Sequence, residues 1–352
     1  MKNLFDYLDY YGNVSFKEYG FNDVDSLIFS LLSYVELEGI VLNSSVSMKE
    51  ACRLFFDKFK GVDFKKKNWL FPNSYKLMQK LTDCKRYSST FLSRYVNQVN
   101  ENGQFGALTI RIIDASITYL SYCGTDSNIV GWKEDFDMVC NYPVYSQTKA
   151  KEYFNDSIRF WDKNVYVGGH SKGGNLAMFA YMYGNSFYKK RVKKIYNFDG
   201  PGFLEDVLSL DVYKEMSSKL VHVVPKDSIV GVLLYHDNYY PVCSSAKSIL
   251  QHEAYTWECF GGFFVSCELS KSSCKFRDRF YEFLDQMTMD EKQDFVNNLF
   301  KVFSDLKITN VMQLKDYSFT DFLSFIKELG GIPSATKRNL ISIFRLLLGT
   351  IN

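Results

Sequence analysis

The segment Val165-Tyr166-Val167-Gly168-Gly169-His170-Ser171-Lys172-Gly173-Gly174-Asn175-Leu176-Ala177 constrains this chain more than any other. A short apolar run ends in glycines, a serine follows, and a helical pattern opens over residues 175–183. Gly169, Ser171 and Gly173 spell G-x-S-x-G. The bare pentapeptide arises by chance, but a buried strand before it and a helix after it supply the setting of a nucleophile elbow. On such a turn the serine backbone is strained. The residues two before and two after it run against the neighbouring strand and helix, where only glycine fits. The helix that follows aims backbone N–H groups and the positive end of its dipole at the serine. The spacing therefore points to nucleophilic chemistry on Ser171. The competing reading is a glycine-rich turn with a bystander serine.

The surroundings fit an α/β fold. Residues 107–113, 116–122, 164–168, 194–198 and 220–224 read as strands, and 145–159 and 175–183 as helices. That alternation predicts a mostly parallel sheet with helices on both faces. The first hundred residues read as mostly helical, over 24–35, 47–59 and from 73 to about 83. Ser47 serves as a cap there, with Glu50 at the capping-box position. Lys65, Lys66 and Lys67 read as a solvated turn. From 273 onward the chain is helical again, with apolar spacing over 290–306 and 335–348. Three parts follow: a helical N-terminal segment, 1–104, packed on the core; an α/β core, 105–270; and a helical C-terminal segment, 271–352.

Charge and cysteine content exclude several classes. The 42 Lys and Arg against 40 Asp and Glu leave a net charge of +2, without the basic field of a nucleic-acid binder. None of the eight cysteines forms a C-x-x-C pair, so neither a metal site nor a cofactor is expected. The N-terminus lacks the pattern of a signal peptide, and no run of 18 apolar residues suits a membrane helix. The expected location is the cytoplasm, with reduced thiols.

Histidine is scarce, with four in 352 residues. In an elbow hydrolase the order is Ser, then Asp or Glu, then His. His170 precedes the serine and reads as packing or support. His222 lies within a strand. His252, in Gln251-His252-Glu253-Ala254-Tyr255-Thr256-Trp257, is the favoured base and His236 the alternative. For the acid, Asp227 follows the strand at 220–224, at a sheet edge where catalytic groups collect. Asp199 ends the strand before it and is the rival, also readable as an Asp-Gly turn residue. Asp237 ranks third. The acid orients the imidazole, which shuttles the proton of Ser171 to the leaving group.

At these residues the sequence resembles the class 3 lipase group of α/β-hydrolases. Gly169-His170-Ser171-Lys172-Gly173-Gly174 is similar to that group's G-H-S-x-G-G elbow. Asp227 after Val224-Pro225, and His252 with Tyr255 and Trp257, resemble its acid and histidine segments. Tyr122-Cys123-Gly124-Thr125-Asp126 and Gly131-Trp132-Lys133-Glu134-Asp135-Phe136 resemble its oxyanion segment and the stretch after it, with Cys123 where an arginine is usual. Asn197-Phe198-Asp199-Gly200-Pro201-Gly202-Phe203, with Tyr7-Leu8 and Asp25-Ser26-Leu27, brings the chain nearest to a bacterial lipase-like family whose activity is inferred. The resemblance implies an α/β-hydrolase core over 105–270. It also implies an oxyanion hole from the backbone N–H groups of Lys172 and Thr125, with the Thr125 hydroxyl close by.

The leading expectation is a serine acyl hydrolase acting on an ester or thioester. A catalytically silent scaffold with a binding or regulatory role is the alternative, and a peptidase on the same fold ranks last. The Lys172 side chain reads as solvated at a helix start, or as a charged tip favouring an anionic substrate. Aromatic residues make up 17% of the chain. Core filling explains most of them. The clusters at 235–240 and 257–264, if exposed, line an acyl pocket or touch a lipid surface. The expected partner is thus an acyl ester or lipid-like small molecule, with peripheral contact to a membrane or micelle and none to nucleic acid.

Overall fold

The computed structural model describes residues 2–63, 71–126, 129–305 and 307. The expected turn at Lys65 to Lys67 and the helix at 335–348 lie outside them. Eight strands form one sheet in strict chain order: β1 (Val46–Ser47), β2 (Thr90–Asn100), β3 (Gly103–Ile112), β4 (Ile117–Tyr122), β5 (Asn164–His170), β6 (Val192–Phe198), β7 (Leu220–Pro225) and β8 (Tyr240–Val242). The pairs from β1 to β4 are antiparallel and those from β4 to β8 parallel. A small hairpin, β9 (Cys259–Phe260) with β10 (Phe263–Phe264), stands apart.

The helices are α1 (Leu4–Tyr11), α2 (Asp23–Leu32), α3 (Met48–Lys58), α4 (Phe71–Thr82), α5 (Ile129–Asp137), α6 (Tyr145–Ser157), α7 (Lys172–Tyr183), α8 (Ser186–Lys189), α9 (Glu205–Leu208), α10 (Asp211–Ser217), α11 (Lys271–Asp285) and α12 (Met289–Asp305). Crossovers between parallel strands are right-handed, so strands laid down in one direction send every crossover to the same face. Accordingly α6, α7 and α10 pack with Leu120, Val165, Val167 and Ile195 on one side. The other face, carrying Ile110, Tyr119, Tyr196, Phe198 and Val223, is covered by α1 to α4. Alternation along a strand divides the two sets, as at Tyr119 and Leu120. The N-terminal segment is thus a layer of the fold. It is less helical than its composition suggests, because β2 lies within residues 1–104 and pairs along β3. In the C-terminal segment, α11 and α12 close a third cluster with Met138, Val139 and Leu234.

One buried ion pair ties the N-terminal layer together. Asn22 caps α2 and Asp25 completes its capping box. The same Asp25 takes a two-pronged bond from Arg86, at 2.9 and 2.5 Å, and hydroxyl bonds from Tyr7 and Tyr87. Arg86 also donates to the carbonyls of Val14, Tyr19 and Gly20. Both charges are fully buried. Removing one partner of such a pair strands the other in a medium that cannot solvate it. Arg86→Met is therefore expected to destabilise the protein by about 3–5 kcal/mol in urea unfolding, a change under about 1 kcal/mol contradicting this role.

Candidate active site

Four strands end at one edge of the sheet and deliver the site. Thr125 follows β4, Ser171 follows β5, Asp199 follows β6 and Asp227 follows β7. Ser171 sits at φ 56°, ψ −137°, a conformation that costs a non-glycine residue about 1–3 kcal/mol. Its neighbours hold it there. A Cβ on Gly173 would lie 2.1 Å from the Tyr122 carbonyl, and one on Gly169 would lie 2.3 Å from the Gly173 backbone. The two glycines therefore let β4, β5 and α7 close around the serine.

His252 ends a one-turn helix over 248–252, and its Nδ1–H donates to Asp199 Oδ2 at 2.7 Å. The other Asp199 oxygen accepts from the Gly231 N–H at 3.0 Å and the Ser228 hydroxyl at 2.5 Å. Asp199 is itself at φ 52°. The turn that allows this is pinned by two asparagines. Asn197 bonds both backbone groups of Gly200, and Asn175 donates to the Gly202 carbonyl.

Asp227, the expected acid, is occupied elsewhere. Its carboxylate accepts from Gln251 Nε2 at 2.7 Å, while its own N–H donates to Gln251 Oε1 at 2.9 Å. The Ser248 N–H completes the clasp. Asp227 thus grips the turn next to His252, and Asp199, the expected rival, meets the imidazole. Trp257 secures the same turn through its indole N–H on the Gln251 carbonyl. His170 bears out its reading as support. Its Nε2–H donates to the His252 carbonyl at 2.8 Å, and the Tyr34 hydroxyl lies 3.2 Å from its Nδ1. Burial keeps His170 neutral by holding its pKa well below the ordinary value.

His236, the alternative base, lies away from this group. It packs on His222 with ring centroids 4.4 Å apart, and its Nε2 bonds the Leu233 carbonyl. Burial lowers it to about 4. Lys172 also departs from expectation. Its side chain runs inward to Glu134 at 2.9 Å, Asp135 at 3.4 Å and the Gln104 carbonyl at 3.2 Å. Glu134 further accepts from the N–H groups of Gln104 and Ser146. The Lys172 ammonium is therefore paired with carboxylates rather than solvated. Its N–H, in the first turn of α7, is one of the helix's orphan donors.

Ser171, His252, Thr125 and Lys172 line one cavity of about 220 Å³. Its wall is largely apolar, with Trp132, Phe136, Ile229, Leu233, Phe276 and Phe280. Tyr34, Ser74, Glu253 and Tyr255 form a more polar part. The sequence reading passed over Tyr34, Gln251 and Glu253. Gln251 and Glu253 flank the favoured histidine, which was their one signal. No group of three or more potential metal ligands occurs among the described residues.

Comparison with known proteins places this arrangement. A family model described as Mbeg1-like matches residues 81–301. The chain belongs to the Mbeg1-like family. No curated protein matches it. Among solved structures, the Lip2 lipase of Yarrowia lipolytica is similar at a TM-score of 0.34 and 13% identity, over 54% of this chain and 75% of that one. The α/β-hydrolase-like reading of the fold rests on this chain's own sheet and elbow. No helix among the described residues is long and apolar enough to cross a membrane.

Burial pushes Glu253 up from 4.5 to about 7, against the pull of His252 and a bond from Asn73. Folded protein therefore holds a proton that the unfolded chain gives up near 4.5. The resulting stabilisation is complete below that pH and is lost as pH rises through about 7. Glu253→Gln is expected to flatten the fall in urea midpoint between pH 5 and pH 8. An unchanged pH profile would contradict the assignment.

Proposed function

We propose that this protein is a serine acyl hydrolase, with Ser171 as nucleophile, His252 as base and Asp199 as the orienting acid. One observation carries the reading: the Asp199–His252 pair opens on the same apolar cavity as a serine held in a strained elbow. With Nδ1–H fixed by Asp199, the imidazole keeps Nε2 free to accept a proton. Ser171 Oγ attacks the ester carbonyl and its proton passes to His252 Nε2. The oxyanion forms at the start of α7, where the Lys172 N–H and that of Thr125 are assigned as donors. Collapse expels the alcohol or thiol, protonated by His252. Water, activated by the same histidine, then frees the acid from Ser171 and restores the enzyme. Asp227 is assigned as a positioning residue that holds the histidine turn.

The cavity also bears on substrate. Among its described lining residues, Lys172 is the sole lysine or arginine, and Glu134 engages it. Asp126, Asp135 and Glu253 line the same space, and burial lifts Asp135 to about 6. Above about pH 7, where Asp135 and Glu253 are ionised, a wall of carboxylates and apolar side chains suits a neutral acyl ester and disfavours an anionic one. The eight free thiols fit a reducing compartment, and we place the protein in the cytoplasm.

A fluorophosphonate probe tests the mechanism. It is expected to label the native protein and to spare Ser171→Ala. With an ester substrate, Asp199→Asn should lower kcat by about 10⁴-fold, and Asp227→Asn by about 10–100-fold. A deeper loss at Asp227 would return the acid role to it, and a folded protein that takes no label would be a silent scaffold. Between two esters of equal chain length, the one bearing a terminal carboxylate should show kcat/KM lower by about tenfold or more. Equal rates would refute the charge argument.

A further inference from the structure

At the opposite end of the sheet from Ser171, two segments meet before β5 and β6: the loop Arg159-Phe160-Trp161-Asp162-Lys163, and Phe187-Tyr188-Lys189-Lys190-Arg191, which runs from α8 into the turn after it. Phe160, Trp161 and Phe187 are 68, 56 and 51% exposed. They form one patch. Phe160 and Trp161 meet edge to face at 4.5 Å. Arg191 bridges the two segments, donating to the carbonyls of Phe160 and Phe187 and lying 4.2 Å over the Phe187 ring. Arg159 lies 5.5 Å from the Trp161 ring. Exposed aromatics scattered singly are ordinary, but three held together by cations are not explained by folding.

The charges around the patch select its occupant. Arg159, Lys163, Lys190 and Lys193 are exposed beside it. The acid in the same stretch, Asp162, is buried, accepting from the Arg159 N–H and facing Arg111. Cations ringing exposed Trp and Phe match a surface that is anionic outside and apolar just beneath.

We propose that this patch docks the protein peripherally on an anionic lipid bilayer. The aromatic rings enter the headgroup region and the lysines and arginines meet lipid phosphates. Ser171 lies at the far end of β5 from these segments, so the docked protein holds its cavity away from that bilayer. Docking here is a tether and does not extract substrate from the surface it touches.

Flotation of the full chain with vesicles tests this, using phosphatidylcholine alone or mixed with phosphatidylglycerol. The native protein is expected to float with the anionic vesicles, less so at high salt, and to remain behind with the neutral ones. Phe160→Ser/Trp161→Ser and Lys163→Glu/Lys190→Glu should each weaken that binding about tenfold or more. Circular dichroism and fluorophosphonate labelling should match the native protein, since neither pair touches the elbow. Ser171→Ala should bind as the native chain does, which separates docking from the catalytic reading. Absence of binding to anionic vesicles, or variants that bind undiminished, would overturn the proposal. So would light scattering that shows a dimer abolished by the aromatic pair, since the patch would then join two copies.

Discussion

A parallel sheet laid down in chain order covers only one of its faces with its own crossovers. Everything else in this molecule answers to that constraint. The face toward α6, α7 and α10 is buried by the chain's ordinary course. The opposite face needs separate helices, and α1 to α4 supply them. These helices are short, and short helices owe their stability to packing. The Asp25–Arg86 pair, with Tyr7 and Tyr87 on the same carboxylate, holds two of them to the loop between them and to the approach to β2. The layer can then press Phe29, Leu32 and Tyr34 toward the sheet.

The elbow exploits the same architecture. β5 sits inside the sheet, so the backbone at Ser171 cannot relax sideways. Strain at φ 56° persists because Tyr122, Gly169 and Gly173 leave no alternative path. On the other flank, Lys172 is drawn into a buried cluster with Glu134 and Asp135, which locks α5 against the start of α7. This cluster stands beside the segment proposed to form the oxyanion hole, where the related pattern places an arginine at the position of Cys123.

How much of this was legible depended on range. Ser171 was legible because its glycines are local. His252 was legible because chain order set aside His170 and a strand pattern set aside His222, leaving His236 as its one alternative. The acid was not. Asp199 and Asp227 both follow strands that neighbour one another, and nothing local separates them. The choice is made by a positive φ at Asp199 and by Gln251, which reaches back to occupy Asp227. Strand β2 escaped notice because half of it carries Asn97, Gln98 and Asn100 toward solvent, residues strands usually avoid. Lys172 was read from its place at a helix start. Its burial requires α5, whose Glu134 lies 38 residues earlier.

Tyr34 reaches His170, and Leu31 and Ser74 line the cavity. All three precede residue 81, where the family match begins. The elbow serine and part of the pocket wall therefore sit on separate stretches of the chain. Leu31 in α2 and Ser74 in α4 shape the cavity wall beside His252, while Ser171 and Asp199 stand on strand ends inside the matched region. Under the proposed function, the wall that meets substrate and the groups that react with it draw on two parts of the chain, joined across the thickness of one sheet.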